Sequence, residues 1–559
     1  MRTDRLPQPL AAGDTLAGHA PRDASVSNSS DRGDGASRKW LLVGLWIVGG
    51  FALRTLLSAF VPLLPDETYY WEWTRRLEAG YFDHPPGIAL LVSLGTAQLG
   101  NTVGGVRAGP AMAALVTHGA AVWLAWLLAG KPHDDGRAGA EAAVRAAALM
   151  ALVPIATLGL VLATPDAALF VTVMLALVGV ERALAAPVRS WRSLAWWMLA
   201  GVALGAAFVS KYTSVLLPAG LVIACLVHPQ LRARFREPGP WLAAVLALLM
   251  FAPVVLWNYL SDWVSFRFQL NHGFTPSARG NPLSRELELV GGQAGLASPI
   301  LFVLMAAAVW VALRDGWRMR RTSSPTDDST RRFALAVVSV VPLLFFAVSA
   351  WRRSVEANWP ALIYPGAVIL LATNHASWAR TRVWRAGLAL AAFLLLVVTA
   401  QAWRPILPLL PRKDPIARAH GWEMLAAAVE RARYDRYLDG TVDRWVAADR
   451  YQDASELAFH LPDQPIVFAL NLGGRPNQYD IWPNAYDKVR PGDGLVVAFD
   501  ASAHGDSLAR HVGGWFADYK QGETVSLRRG KGEITQRRIW LYRIARDVPR
   551  RNRVVSVAP

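Results

Sequence analysis

Approximately eleven apolar runs of bilayer length dominate residues 40–403, at about 40–61, 106–129, 143–161, 165–183, 193–209, 212–228, 240–258, 297–314, 333–350, 359–375 and 385–403. Most have the roughly 17–25 residues that a helix needs to cross the hydrocarbon of a bilayer. A water-soluble fold is disfavoured by composition as well. Of the 559 residues, 53% are hydrophobic and 18% charged, against about a quarter charged in soluble domains. The expected class is a polytopic α-helical membrane protein. Two boundaries stay open in the sequence. The Pro-containing run at 148–167 has diffuse edges, and Ser210-Lys211-Tyr212 reads either as a tight external turn or as an intramembrane kink.

Charge placement orients these runs. Arg38-Lys39 precedes the first, and later loops on the same side hold Lys131, Arg137 and Arg145, then Arg189 and Arg192, Arg232 to Arg236, Arg314 to Arg332, and Arg380 to Arg385. The positive-inside tendency puts these loops in the cytoplasm. An odd number of crossings then leaves the C-terminus on the external face. The formal charge of +16 is accordingly read as topology, with no nucleic-acid partner. Residues 1–36 are polar and rich in Gly, Ser and Asp, which predicts a disordered cytoplasmic tail rather than a cleaved signal peptide. Cys225 is the single cysteine, so neither an intramolecular disulfide nor a thiolate metal cluster is available.

The membrane region spans 37–404, with external loops at 62–105 and 259–296. Within the first loop, 68–80 and 86–100 are expected as helices lying along the interface. Residues 405–559 change character. "GWEMLAAAVERARYD" and "ASELAFHL" have helical periodicity, whereas "QPIVFAL", "DGLVVAFD" and "RRIWLYRIA" read as strands. About 150 residues suffice for a small α/β domain, expected outside the membrane. "ASELAFHL" and "GGRPNQYDIW" are candidates for acceptor recognition, and neither forms a nucleotide loop.

Ionisable groups beside a bilayer are costly unless they meet water, a partner or a ligand. Asp66 and Glu67 stand side by side at the start of the first external loop. They suit a general base or a cation site; the bland alternative is solvation with pairing to Arg75 or Arg76. Asp83-His84-Pro85-Pro86 follows, its prolines fixing backbone direction; a solvent-facing His is the bland reading there. Asp166 follows Pro165, where a helix-capping role competes with a functional one. Lys211 either snorkels or contacts phosphate. Asn271, His272, Glu286, Glu288 and Gln293 belong to the second external loop, and Arg352, Arg353, Glu356 and Asn358 precede the tenth run. An external Arg pair runs against the positive-inside tendency, and a fixed anionic ligand would explain it.

"PDETYYWEWTRRLEAGYFDHPP", "TPDAALF", the Lys after a long helix, "FRFQLNHGF" and "EANWPALIYP" together resemble bacterial members of the membrane-embedded glycosyltransferase family that includes protein O-mannosyltransferases and lipid A aminoarabinose transferases. The resemblance covers roughly residues 40–405. It implies a GT-C fold in the bacterial inner membrane with transfer on the periplasmic face, which makes the expected external side of the C-terminal domain the periplasm and leaves the N-terminus cytoplasmic. It also implies transfer of a sugar from a polyprenyl-phosphate donor to an envelope lipid, glycan or protein. By that resemblance Asp66 is the leading catalytic Asp and Glu67 its companion. Asp83-His84 stands where aminoarabinose transferases usually carry Glu-Lys, and Asp166 helps arrange the site. Lys211, Arg352 and Arg353 become candidates for the donor phosphate, and Asn271, His272, Glu356 and Asn358 for acceptor or accessory contacts. Asp66, Glu67, Asp83 and His84 offer metal-type donor atoms; no motif fixes a coordination number, so a divalent metal is neither required nor excluded. A flippase would instead show internal repeats and charges at helix midpoints. A non-enzymatic assembly protein would make the Asp66–Pro86 constellation incidental.

Overall fold

The computed structural model describes residues 30–545, apart from 131–135, 276–279, 323, 325, 375–380 and 517. Most of the expected N-terminal tail lies outside the described residues; 30–36 are the first turns of helix α1 (Ser30–Phe60). The first external loop holds α2 (Pro65–Thr74) and α3 (Gly87–Leu99). There follow α4 (Val103–Ala129), α5 (Arg137–Leu152), the single turn α6 (Pro154–Thr157), α7 (Pro165–Ala185) and α8 (Trp191–Ser210). Next come α9 (Leu216–Val227), α10 (Pro229–Arg234), α11 (Pro238–Leu260), α12 (Val264–Phe274) and α13 (Pro282–Ala297). The membrane region ends with α14 (Pro299–Met319), α15 (Asp328–Ala350), α16 (Ile363–Ala372) and α17 (Arg382–Trp403).

Among the described residues, eight helices are long and apolar enough to cross a membrane: α1, α4, α7, α8, α11, α14, α15 and α17. The other three expected runs are shorter, each for a local reason. The 143–161 run breaks at Val153, which turns extended (ψ 120°) because the following Pro154 disfavours a helical residue before it. The 193–228 stretch divides at Lys211, extended at φ −158°, and resumes as a 3-10 turn leading into α9. The tenth run starts as a 3-10 turn at Trp359-Pro360 and continues only ten residues as α16. The break at Lys211 also redirects the chain: α8 packs on α7 and α11, whereas α9 packs on α15.

Glycines set the close packing of the first loop onto the bundle. A Cβ on Gly109 would lie 1.8 Å from the Leu91 carbonyl oxygen, and one on Gly95 2.2 Å from that of Gly105. Backbone-to-backbone approach of α3 and α4 is thereby possible only without side chains at these positions.

Residues 404–545 form a separate α/β layer. Its helices are α18 (Trp422–Arg433), α19 (Tyr451–His460), the short α20 (Ala485–Lys488) and α21 (Ala503–Gly513). Its strands are β1 (Arg444–Ala448), β2 (Val467–Ala469), β3 (Gly494–Asp500), β4 (Asp518–Arg529) and β5 (Gly532–Arg543). The sheet runs β2-β1-β3-β5-β4, parallel across β2, β1 and β3 and antiparallel beyond. The three strands expected from sequence contain β2, β3 and much of β5. The edge strand β4 escapes a hydrophobic pattern because "DYKQGETVSLRR" is mostly exposed.

One buried cluster joins this layer to the first external loop. Leu63, Tyr69, Trp71, Trp73, Tyr81 and Ile88 share it with Trp422, Leu425, Leu457, Phe459, Tyr479 and Trp482. The two segments therefore stand on the same face of the bundle. Helix α2 does not lie free on an interface: residues Glu67 to Trp73 are all buried, because α19 packs along it. An Arg529–Asp414 ion pair ties the β4–β5 turn to the end of α17, where Asp414 also accepts from Gln401 Nε2 at 2.8 Å.

Candidate active site

Pro65 opens α2 at a position that suits its fixed φ, and the two acids of the first turn complement the helix dipole. Their side chains diverge. Glu67 is fully buried and accepts from four N–H groups. Arg107 Nε (2.8 Å) and the Ala163 amide (2.9 Å) reach Oε1, while Arg107 Nη2 (2.5 Å) and the Leu64 amide (3.0 Å) reach Oε2. Arg107 also donates to the carbonyls of Ser58, Val61 and Pro62 at the end of α1. Glu67 and Arg107 thus fasten α1, α2, α4 and the segment before α7 together.

Asp66, one residue earlier, is exposed and makes no hydrogen bond or ion pair among the described residues. Protein crowds its carboxyl even though part of it reaches solvent. That desolvation raises its pKa above the ordinary carboxylate value; Arg418 opposes the rise, Asp83 adds to it and Arg475 opposes it. An unpaired carboxyl with a raised pKa is the state a general base needs.

Asp83 lies under the α/β layer. Its Oδ2 accepts from Tyr69 Oη (2.7 Å) and its Oδ1 from Arg475 Nη1 (2.6 Å). Tyr69 Oη in turn accepts from the Gln478 amide, and the Gln478 side chain accepts from the Phe82 amide. Gln269 of α12 donates to the Asp83 carbonyl at 2.6 Å. The neighbouring His84 has a buried Nδ1 without a partner among the described residues. Burial lowers its pKa to about 4, so the imidazole is neutral at pH 7.

Three positions from distant parts of the sequence converge beside it. Lys211 Nζ donates to Asp166 Oδ1 at 2.7 Å, and Asn358 Nδ2 to Asp166 Oδ2 at 2.9 Å. Lys211 and Asp166 are both buried. They meet because Pro165 starts α7 and the Lys211 break ends α8 on the same side of the bundle. A cavity of about 440 Å³ opens between these groups and the bundle. Asp83, His84, Lys211 and Arg475 form its polar end, and Val215, Leu216, Leu270, Phe345, Phe346 and Trp359 its apolar wall.

Arg352, Arg353, Glu356 and Asn271 are not among the described residues of that lining. Arg352 and Glu356 are exposed. Arg353 stacks on Trp359 at 5.5 Å, and burial lowers its pKa, with Glu356 opposing. Asn271 is exposed on α12, and the side chain of His272 lies outside the described residues. Glu67 spends its oxygens on Arg107 and backbone amides, and Asp83 on Tyr69 and Arg475. Among the described residues no group of three or more His, Cys, Asp or Glu is arranged to hold a metal ion.

Sequence reasoning passed over Arg107, Arg418 and Tyr451, and it reached Arg475 and Gln478 only as part of "GGRPNQYDIW", read for acceptor recognition. Arg107 sits inside an apolar run as its only charge, which is a usable signal. Arg475 carried a weaker one, a lone cation between Gly473-Gly474 and Pro476.

Residues 83–257 match the family model described as dolichyl-phosphate-mannose-protein mannosyltransferase. A lipid A galacturonosyltransferase of Rhizobium johnstonii is 28% identical over 355 residues, 62% of this chain and 67% of the relative. An undecaprenyl phosphate-alpha-4-amino-4-deoxy-L-arabinose arabinosyl transferase of Pseudomonas aeruginosa is 28% identical over 377 residues, 62% of this chain and 61% of the relative. The chain thus spans about two thirds or less of the length of these relatives. Among solved structures, apo ArnT from Cupriavidus metallidurans aligns with a TM-score of 0.58 at 15% identity, over 90% of this chain and 98% of that one. The chain is thus similar in sequence to these membrane sugar transferases over 62% of its length, and it shares the fold of ArnT along most of it.

Proposed function

We propose that this protein transfers a sugar from a polyprenyl-phosphate carrier to an envelope acceptor, with lipid A the first to test, on the periplasmic face of a bacterial inner membrane. The observation that carries the reading is the cavity whose polar end holds Lys211, His84 and Arg475 while its wall is apolar. Such a shape accepts a phosphate head and leaves a long lipid tail in hydrocarbon. The relative named as a lipid A galacturonosyltransferase supports the choice of acceptor. A second ArnT structure from Cupriavidus metallidurans, which matches with the same TM-score of 0.58, is bound to undecaprenyl phosphate.

In the proposed displacement the acceptor oxygen or nitrogen attacks the anomeric carbon as the bond from that carbon to the phosphate oxygen breaks. The electron pair leaves with the polyprenyl phosphate, and the acceptor's proton passes to the Asp66 carboxylate. Lys211 meets the charge that grows on the leaving phosphate, with Asp166, itself held by Asn358, keeping its ammonium in place. Neutral His84 is a hydrogen-bonding group for the sugar or the phosphate. Glu67 serves by position, through Arg107. The donor already carries its leaving group, so neither a nucleotide site nor a covalent enzyme intermediate is needed.

The test uses the purified full chain, a panel of undecaprenyl-phosphate sugars and lipid A, with products read by mass spectrometry. Transfer from at least one donor is expected, and Asp66→Asn should reduce it by roughly two to four orders of magnitude without disturbing folding. No transfer from any donor, or full turnover by Asp66→Asn, refutes the assignment.

A further inference from the structure

One end of the cavity is closed by a side chain that no membrane helix supplies. Arg475 belongs to the turn between β2 and the short helical turn at 478–480 of the α/β layer, yet it lines the same cavity as Lys211 and His84. We propose that Arg475 is a contact for the phosphate of the lipid-linked donor, so that the C-terminal layer supplies part of the substrate site. This rests on the polyprenyl-phosphate reading above.

Charge placement singles out Arg475. Among the described residues lining the cavity, Lys211 and Arg475 are the two Lys or Arg side chains; Arg352 and Arg353 are outside it. Lys211 is buried against Asp166 at 2.7 Å, which offsets its charge. The donor's phosphodiester carries one negative charge, and cleavage delivers a second to the departing phosphate. A single, already paired ammonium is a thin counterweight for that change. Asp83, His84, Lys211 and Arg475 line one cavity, and Lys211 holds Asp166 beside it. The buried Nδ1 of His84 in that cavity lacks a partner among the described residues.

Arg475 is also held in a shape suited to an anion. Its guanidinium lies over the rings of Phe268 (5.3 Å) and Tyr451 (5.1 Å), and Nη2 donates to Tyr451 Oη at 2.9 Å. Nη1 donates to Asp83 at 2.6 Å and, at a long 3.5 Å, to the Pro476 carbonyl. A guanidinium has five N–H bonds in a planar fork; these contacts use three, and 42% of the side chain remains exposed. Asp83, pinned by Tyr69, is therefore a resident competitor for a cation that can still reach an incoming phosphate.

That competition gives the test its sign. Binding of undecaprenyl phosphate and of undecaprenol, which has the same tail and no phosphate, is measured on the full-length protein in detergent. Arg475→Ala should weaken undecaprenyl phosphate binding roughly ten- to hundred-fold, as loss of a charge-assisted contact implies, and leave undecaprenol unchanged. Arg475→Lys should fall between. Asp83→Asn should bind undecaprenyl phosphate as tightly as wild type or more tightly, because it frees the guanidinium. If Arg475 were only a strut between the layer and the loop, Asp83→Asn would weaken binding as Arg475→Ala does, and that result overturns the proposal. Wild-type affinity in Arg475→Ala overturns it too, while leaving the donor reading standing. Equal wild-type affinity for the two lipids removes both. Should Arg475→Ala fail to fold, the proposal still requires weaker undecaprenyl phosphate binding by Arg475→Lys and no weakening by Asp83→Asn.

Discussion

Replacing Glu67 with Gln alters charge and hydrogen-bonding pattern at nearly constant volume, and the geometry around it makes the cost calculable. Both carboxylate oxygens receive two N–H groups each: Arg107 Nε and the Ala163 amide on one, Arg107 Nη2 and the Leu64 amide on the other. A Gln side chain must turn its NH₂ toward one of these pairs. The NH₂ then faces two N–H donors in a fully buried site, and the Arg107 guanidinium keeps its three carbonyl partners and one bond to the Gln oxygen but loses its counter-charge. Breaking one side of a buried ion pair costs about 3–5 kcal/mol. The purified variant should show a lower unfolding midpoint, with a loss of transfer that follows loss of the folded fraction. Adding Arg107→Met to Glu67→Gln should cost less than the sum of the two single changes, with a coupling of about 0.5–3 kcal/mol. Unchanged stability with abolished turnover would refute the reasoning, because Glu67 would then act on the reacting groups and not through Arg107.

Other consequences can be checked alongside. Because Asp66 has a raised pKa and must be unprotonated to accept a proton, kcat/KM should fall as pH drops through a value above the ordinary carboxylate range, and Asp66→Asn should abolish that limb. Lys211→Ala should raise KM for the donor more than for the acceptor; an acceptor-only defect counts against a phosphate role. Tyr69→Phe removes the donor to Asp83 and strands the buried Gln478 amide, a cost of about 1–3 kcal/mol, read as faster hydrogen exchange at 475–482. His84 has its pKa lowered from 6.5 to about 4, so the folded state binds fewer protons than the unfolded one below pH 6.5. Its contribution is fully present above that pH and is lost as pH falls toward 4, at most about 3 kcal/mol; His84→Gln should flatten that part of the stability profile.

The sequence made the bilayer runs legible because hydrophobicity is a local property. It also brought Asp66, Asp83, Asp166, Lys211 and Asn358 to attention, since charge beside a bilayer is conspicuous wherever it falls. The partners were not legible. Nothing near Asp83 announces Arg475, 392 positions away, and nothing near Glu67 announces the Ala163 amide. The same holds for α2, whose aromatics read as an interfacial helix until α19 is laid on them. Shortening of three membrane runs turned on backbone breaks at Val153, Lys211 and Trp359-Pro360; the sequence left the first two boundaries open, and the backbone geometry closes them. Strand β4 was missed because an exposed edge carries little apolar alternation.

The buried cluster shared by the first external loop and the α/β layer also bears on synthesis. Ser455 meets the Pro65 carbonyl across 390 positions of chain. At about 5–20 residues per second, the ribosome needs roughly 20–80 s between making the helix with the acidic pair and making the helix that covers it. During that interval Tyr69, Trp71 and Trp73 have no lid, and the Asp83 pairing cannot form. A nascent chain halted before its last hundred residues would be a membrane protein with most of its spans in place and no finished catalytic pocket.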